Sequence, residues 1–149
     1  MMDSILVATD GSDTAGEAAG YAIDLADRLG ASLHGISVVE TRTAYDNAIV
    51  DPEEAEAALR ERAREALAAL EDAAAAAGVS VETTVERGVP HEEIIAYAEA
   101  HDVSTIVVGS SGRSSFRRAL LGSTADALVR LSPVPVLVVG DPVERAPDP

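Results

Sequence analysis

The sequence predicts an α/β doubly wound domain: a five-stranded parallel sheet in the order 3-2-1-4-5, flanked by four helices. Three observations lead there. Five apolar runs alternate with four segments of helical periodicity, and that alternation builds βαβ units with right-handed crossovers. The first run, Ile5-Leu6-Val7-Ala8, and the fourth, residues 103–108, lack a regular polar/apolar alternation, as strands buried on both faces do. The length of 149 residues is that of one ordinary domain, large enough to bury a core without disulfide or metal staples.

Each element has its own local reasons. Thr9-Asp10-Gly11-Ser12 ends the first strand; Ala15, Ala19, Ala22, Ala26 and Leu29 then recur at helical spacing until Gly30 caps the helix. A second strand covers about residues 32–39, and residues 40–51 form a polar connection. Asp51 caps the second helix, Pro52 suits its first position, and Glu53 and Glu54 suit its positive end. Ala55, Leu59, Ala63, Ala66, Leu67 and Leu70 form its apolar stripe, and Gly78 ends it. Its charged residues, Glu56, Arg60, Glu61, Arg64, Glu65 and Glu71, read as a solvated face with intrahelical ion pairs rather than a docking surface. Residues 79–85 alternate in part, which predicts a third strand at a sheet edge. Pro90 opens a helix with Glu92 and Glu93 in its first turn and Ile94, Ile95 and Ala98 inside. The last helix covers about 123–131, Pro133 and Pro135 bracket its end, and residues 134–139 form the fifth strand. Residues 1–140 are expected to make up the domain, with 141–149, which hold three prolines, as a disordered tail.

Composition narrows the function. There are 26 acidic residues against 11 basic ones, all of them arginine, for a net charge of −15. Broad, non-specific nucleic-acid binding is disfavoured because phosphates are repelled. The absence of cysteine excludes thiol chemistry, cysteine-based zinc sites and disulfides. The N-terminus lacks the basic region and cleavage site of a signal peptide, and no apolar run approaches the roughly 20 residues of a membrane span. The expectation is a soluble cytoplasmic protein without a membrane partner. A GC-rich genome replaces lysine with arginine; loss of lysine together with strong acidity favours a halophilic source, an archaeon, where high salt screens self-repulsion.

In doubly wound sheets, ligands bind beyond the C-terminal ends of the strands where the strand order reverses, here between strands one and four. Two segments stand there: Asp10, and a glycine-rich stretch running from Gly109-Ser110-Ser111-Gly112 to Gly122-Ser123-Thr124. Glycine allows positive φ and close backbone approach, successive N–H groups make an anion-binding concavity, and a helix N-terminus adds unpaired donors. Arg113, Arg117 and Arg118 lie between and can screen phosphate charge. A turn with required glycines and a routine helix cap accounts for the same residues, and Asp10 can equally be a helix or turn cap. The Walker motif is excluded because it needs a lysine, and the Rossmann fingerprint because Asp10-Gly11-Ser12-Asp13 occupies its position. His34, His91 and His101 are scattered in sequence without metal-ligand spacing and read as structural or surface groups.

The spacing Gly109-x-x-Gly112, nine residues, Gly122-Ser123 resembles the ATP-binding motif of the universal stress protein family. The segments Ala8-Thr9-Asp10-Gly11-Ser12 and Pro133-Val134-Pro135-Val136-Leu137-Val138-Val139 are similar to that family's first and last strands, so the resemblance covers roughly residues 3–140. It implies an ATP-binding stress-response or regulatory protein, with Mg or Mn accompanying the nucleotide. By the same resemblance Asp10, with Ala8 and Thr9 before it, sits near the ribose or the metal-bound phosphates, and Val38 lines the adenine pocket. Gly109, Ser110, Gly112 and Arg113 wrap the ribose and phosphates, and Gly122, Ser123 and Thr124 hold the phosphate chain. It also implies a homodimer paired through the strand Val134–Val139, which would cover an apolar sheet edge. The alternative is a slow ATPase or a nucleotidyl- or phosphoryl-transfer enzyme using the same pocket. Against it, the chain offers no evident general base and no catalytic residue is assigned.

Overall fold

A computed structural model describes residues 3–40, 51–111 and 121–140. In chain order the elements are β1 (Ser4–Ala8), α1 (Asp13–Leu29), β2 (Ser32–Glu40), α2 (Pro52–Ala76), β3 (Val81–Gly88), α3 (Pro90–Ala100), β4 (Thr105–Gly109), α4 (Ser123–Leu131) and β5 (Val136–Val139). All strand pairs are parallel and the order is β3-β2-β1-β4-β5, the topology expected from the sequence. Residues 41–50 of the polar connection and the tail 141–149 lie outside the described residues.

The uninterrupted apolar strands follow from two covered faces. Ile5 and Val7 of β1 pack with Val107, Leu67 and Leu70 beneath α1 and α2, while Leu6 packs with Ile36, Ile106, Ile94 and Leu128 beneath α3 and α4. Helix α1 starts where the Ser12 side chain accepts from the Ala15 N–H, and ends where Gly30 turns left-handed at φ 63°. Its buried face is largely alanine — Ala15, Ala18, Ala19, Ala22 and Ala26 — so its backbone lies close to the sheet. Helix α2 begins as expected, with Asp51 Oδ1 accepting from the Glu53 N–H at 3.1 Å.

Three strand boundaries differ from the sequence reading, each for a local reason. β3 starts at Val81 and extends to Gly88, because Glu86, Arg87 and Gly88 continue the ladder opposite Val38, Val39 and Glu40. On an edge strand those polar side chains reach water, so polarity does not end the strand there. β4 starts at Thr105, since the Val103 N–H closes the end of α3 on the Ala98 carbonyl at 2.9 Å. β5 starts at Val136, after Ser132 Oγ donates to the Val134 carbonyl and accepts from the Val134 N–H. The charged side of α2 is also less solvated than expected. Arg87 Nε stands 2.7 Å from Glu56 Oε1, and Thr83 Oγ1 donates to Glu71 Oε1 at 2.8 Å, so two of those acids fasten α2 to the edge strand.

Candidate functional site

The C-terminal ends of β1, β2 and β4 open into a cavity of about 390 Å³ at the point where the strand order reverses. Ala8, Thr9, Asp10, Val38, Gly109, Gly122, Ser123 and Thr124 all line it. Ser110 does not. Its N–H donates to the Val139 carbonyl at 2.8 Å and its own carbonyl accepts from the Gly122 N–H at 2.7 Å, so it joins β4, β5 and the start of α4. Gly112 and Arg113 lie outside the described residues, as do Arg117 and Arg118.

The β1 side of the cavity is set by backbone bonds. The Thr9 N–H donates to the Ile36 carbonyl at 3.0 Å, which holds the end of β1 against β2. Thr9 Oγ1 accepts from the Gly11 N–H at 3.2 Å, and Asp10 Oδ1 accepts from the Ser12 N–H at 2.9 Å. Asp10 therefore braces the local turn, and it is an exposed residue of the cavity lining.

Gly109 and Gly122, besides lining the cavity, have local roles in the fold. A Cβ on Gly109 would stand 2.8 Å from Thr14 Cγ2 and 3.1 Å from the Thr14 carbonyl carbon and oxygen, so this glycine admits the first turn of α1 against β4. Thr14 Oγ1 in turn lies 3.2 Å from Ser111 Oγ, tying α1 to the segment after β4. Gly122 has an ordinary extended backbone (φ −62°, ψ 157°) and is the N-cap of α4 without any side-chain cap.

That helix start, without a side-chain cap among the described residues, is the main chemical feature of the site. The Asp126 N–H is the first to find an intrahelical carbonyl, that of Gly122 at 2.9 Å. The N–H groups of Ser123, Thr124 and Ala125 precede it, at the positive end of the helix, and these three residues line the cavity. Helices α1 and α2 fill the equivalent position with Ser12 and Asp51. Helix α3 also lacks a side-chain cap, but Pro90 at its start carries no N–H.

Val38, Leu59, Ala63, Pro90 and Ile94 add an apolar wall to the cavity, which Glu40 and Arg62 also line. Of this group only Val38 was expected at the site from the sequence. A signal for Leu59 was present: the apolar stripe of α2 runs to Ala55 and Leu59, whereas its buried members begin at Ala63. Stripe residues beyond the core are free to line a cavity. Arg62 makes no ion pair among the described residues, although α2 is rich in glutamate.

Two of the three histidines, dispersed in sequence, meet at a place outside the cavity lining. His34 Nδ1 lies 2.7 Å from Tyr97 Oη, Tyr97 stacks on His101 with ring centroids 3.8 Å apart, and His34 and His101 are 5.7 Å apart. Burial pushes the His34 imidazole below its ordinary value; Glu82 opposes this and His101 adds to it. Burial likewise raises the Tyr97 phenol, helped by Glu82 and Glu86. No group of three metal-ligating side chains occurs among the described residues.

The universal stress protein family model matches residues 1–140. The chain belongs to the universal stress protein family. A universal stress protein of Methanocaldococcus jannaschii is 36% identical over 139 residues, covering 93% of this chain and 82% of the relative. The structure of the universal stress protein UspA from Lactobacillus plantarum superimposes with a TM-score of 0.81 at 29% identity, covering 92% of this chain and 97% of that one. A universal stress protein solved in complex with cAMP superimposes with a TM-score of 0.66 at 27% identity, covering 92% and 95%. Among the described residues of this family member, no helix is long and apolar enough to cross a membrane.

Proposed function

We propose that this universal stress protein binds ATP in the cavity between β1 and β4 and acts by holding it, as a stress-response regulator of the cytoplasm. The observation that carries the reading is the polarity of the cavity. The N-terminus of α4, whose Ser123, Thr124 and Ala125 N–H groups no described side chain caps, and an apolar wall of Val38, Leu59, Ala63, Pro90 and Ile94 line one cavity. A nucleotide has the matching polarity, with anionic phosphates at one end and a flat base at the other. Thr9 and Asp10 line the same cavity and would offer acceptors to a ribose hydroxyl. The cAMP complex of a relative supports an adenine nucleotide as the ligand class.

Asp10 is the residue that would hold Mg or Mn beside the phosphates. A single exposed carboxylate suits a hard cation that takes its remaining ligands from phosphate and water. The bound ion would neutralise phosphate charge near a protein of net charge −15. The homodimer would pair through residues 134–139. β5 is an edge strand, its Leu137 is 39% exposed, and Val129 and Leu131 of α4 are 53% and 57% exposed nearby in sequence. Pairing two such edges would remove apolar surface and unpaired backbone groups from water.

Calorimetric titration of the full chain with MgATP tests the binding. Saturable binding is expected, and Gly122→Val, which places a branched side chain at the α4 cap, is expected to abolish it. Multiple-turnover release of ADP or AMP should not exceed one equivalent; sustained release would replace holding with catalysis.

A further inference from the structure

We propose that His34 links the affinity of the nucleotide cavity to pH, through the packed seam between β2 and α3. The inference rests on the nucleotide reading above and adds its regulation. His34 and Val38 lie on the same face of β2, two strand periods apart, with Ile36 between them. Ile94 and Tyr97 lie one turn apart on α3, and Ile36, Val38, Ile94 and Tyr97 all belong to one packed cluster. The upper members, Ile36, Val38 and Ile94, line the cavity together with Pro90 at the start of α3. The lower end is closed by the 2.7 Å contact of His34 Nδ1 with Tyr97 Oη and by the Tyr97–His101 stack.

The groups facing His34 decide which way a proton acts. On β1 its ladder partner is Leu6, which brings no charge. On β3 its partner is Glu82, whose Oε2 is 3.8 Å from Nδ1 and whose side chain is 82% exposed; Glu86 lies further along that strand. On α3 it meets Tyr97 and His101, and at the foot of the sheet Asp27 of α1 lines the same shallow cavity as His34 and Glu82. The neutral ring suits the Tyr97 side, where its own side chain is only 12% exposed. A protonated ring is drawn away from the buried Tyr97 side toward water and the carboxylate of Glu82. That movement withdraws the partner of the Tyr97 hydroxyl and loosens the last turn of α3, whose first turn is a cavity wall.

The test is the dissociation constant of ATP between pH 7.5 and 5.5, for the full chain and for His34→Gln. The unmodified protein is expected to lose about fivefold or more in affinity, the low end of ordinary coupling between sites. His34→Gln is expected to lose clearly less; the ligand's own titration is common to both proteins and cancels. An equal loss in both overturns the coupling and leaves nucleotide binding standing. No binding at any pH overturns the nucleotide reading and the coupling with it. If His34→Gln folds poorly, Tyr97→Phe serves instead: it keeps the ring stack, removes the hydroxyl, and is expected to shrink the pH response. An undiminished response in Tyr97→Phe overturns the proposal.

Discussion

Gly109→Ala should destabilise the protein by about 2 kcal/mol, within the range for overpacking a tight core. The added Cβ would meet Thr14 Cγ2 at 2.8 Å and the Thr14 carbonyl group at 3.1 Å, where relaxed carbon contacts lie at roughly 3.5–4.0 Å. Thr14 cannot simply turn away. It is buried in the first turn of α1, which Ser12 caps through the Ala15 N–H. For a domain of this length, 2 kcal/mol corresponds to a fall in melting temperature of about 4–8 °C. Thr14→Ser in the Gly109→Ala background removes the worst contact and keeps the hydroxyl that meets Ser111, so it should restore part of the loss. The backbone contacts at 3.1 Å set the part not restored. The assay is urea denaturation without nucleotide, followed by circular dichroism. If Gly109→Ala unfolds within about 0.5 kcal/mol of the unmodified protein, this glycine is not there to admit α1. Abolished nucleotide binding with unchanged stability would assign it to the ligand instead.

Other predictions follow from the same geometry. Ser12→Ala should cost about 1 kcal/mol in urea denaturation, because it strips the N-cap of α1 while leaving the cavity's donors in place. Without ligand, stability should be greatest above about pH 6.5 and fall as pH drops below it. The native state holds His34 below its ordinary value, so the unfolded chain binds more protons in that window. His34→Gln should flatten that part of the melting-temperature profile, and an unchanged profile would remove His34 as its source. Tyr97, held above its ordinary value, has the opposite sign: its contribution is present below about pH 10 and is lost as pH rises through the native value. Lowering KCl should lower the melting temperature if the net charge of −15 is an adaptation to concentrated salt. A melting temperature indifferent to KCl would refute the halophilic reading.

Much of the fold was legible because its signals are local. Asp51-Pro52 starts α2, Gly30 ends α1, and unbroken apolar strands mark the centre of the sheet. The polar alternation of β3 marked the edge strand, but not its end: Glu86 and Arg87 look like a loop until pairing with Val38 and Val39 places them on an edge. The helix start that lines the candidate site was legible for the same reason, since Gly122, Ser123 and Thr124 are contiguous in sequence. The apolar wall was not. Leu59, Arg62, Pro90 and Ile94 come from two helices, and only the crossing of both over the end of β2 brings them to Val38. The role of Gly109 was likewise hidden, because its neighbour Thr14 is 95 residues distant in sequence. The joining of His34 to His101 through Tyr97 depends on β2 and α3 sharing a seam, which spacing alone does not reveal.

The most direct test of the account is a titration of the full chain with MgATP followed by amide-resolved NMR. The largest shifts are expected at the Ser123, Thr124 and Ala125 amides, with smaller ones at Thr9 and Val38, all in the lining of one cavity. Shifts confined to the shallow cavity around Gly30, Gly78 and Glu82, or none at millimolar ATP, would contradict it.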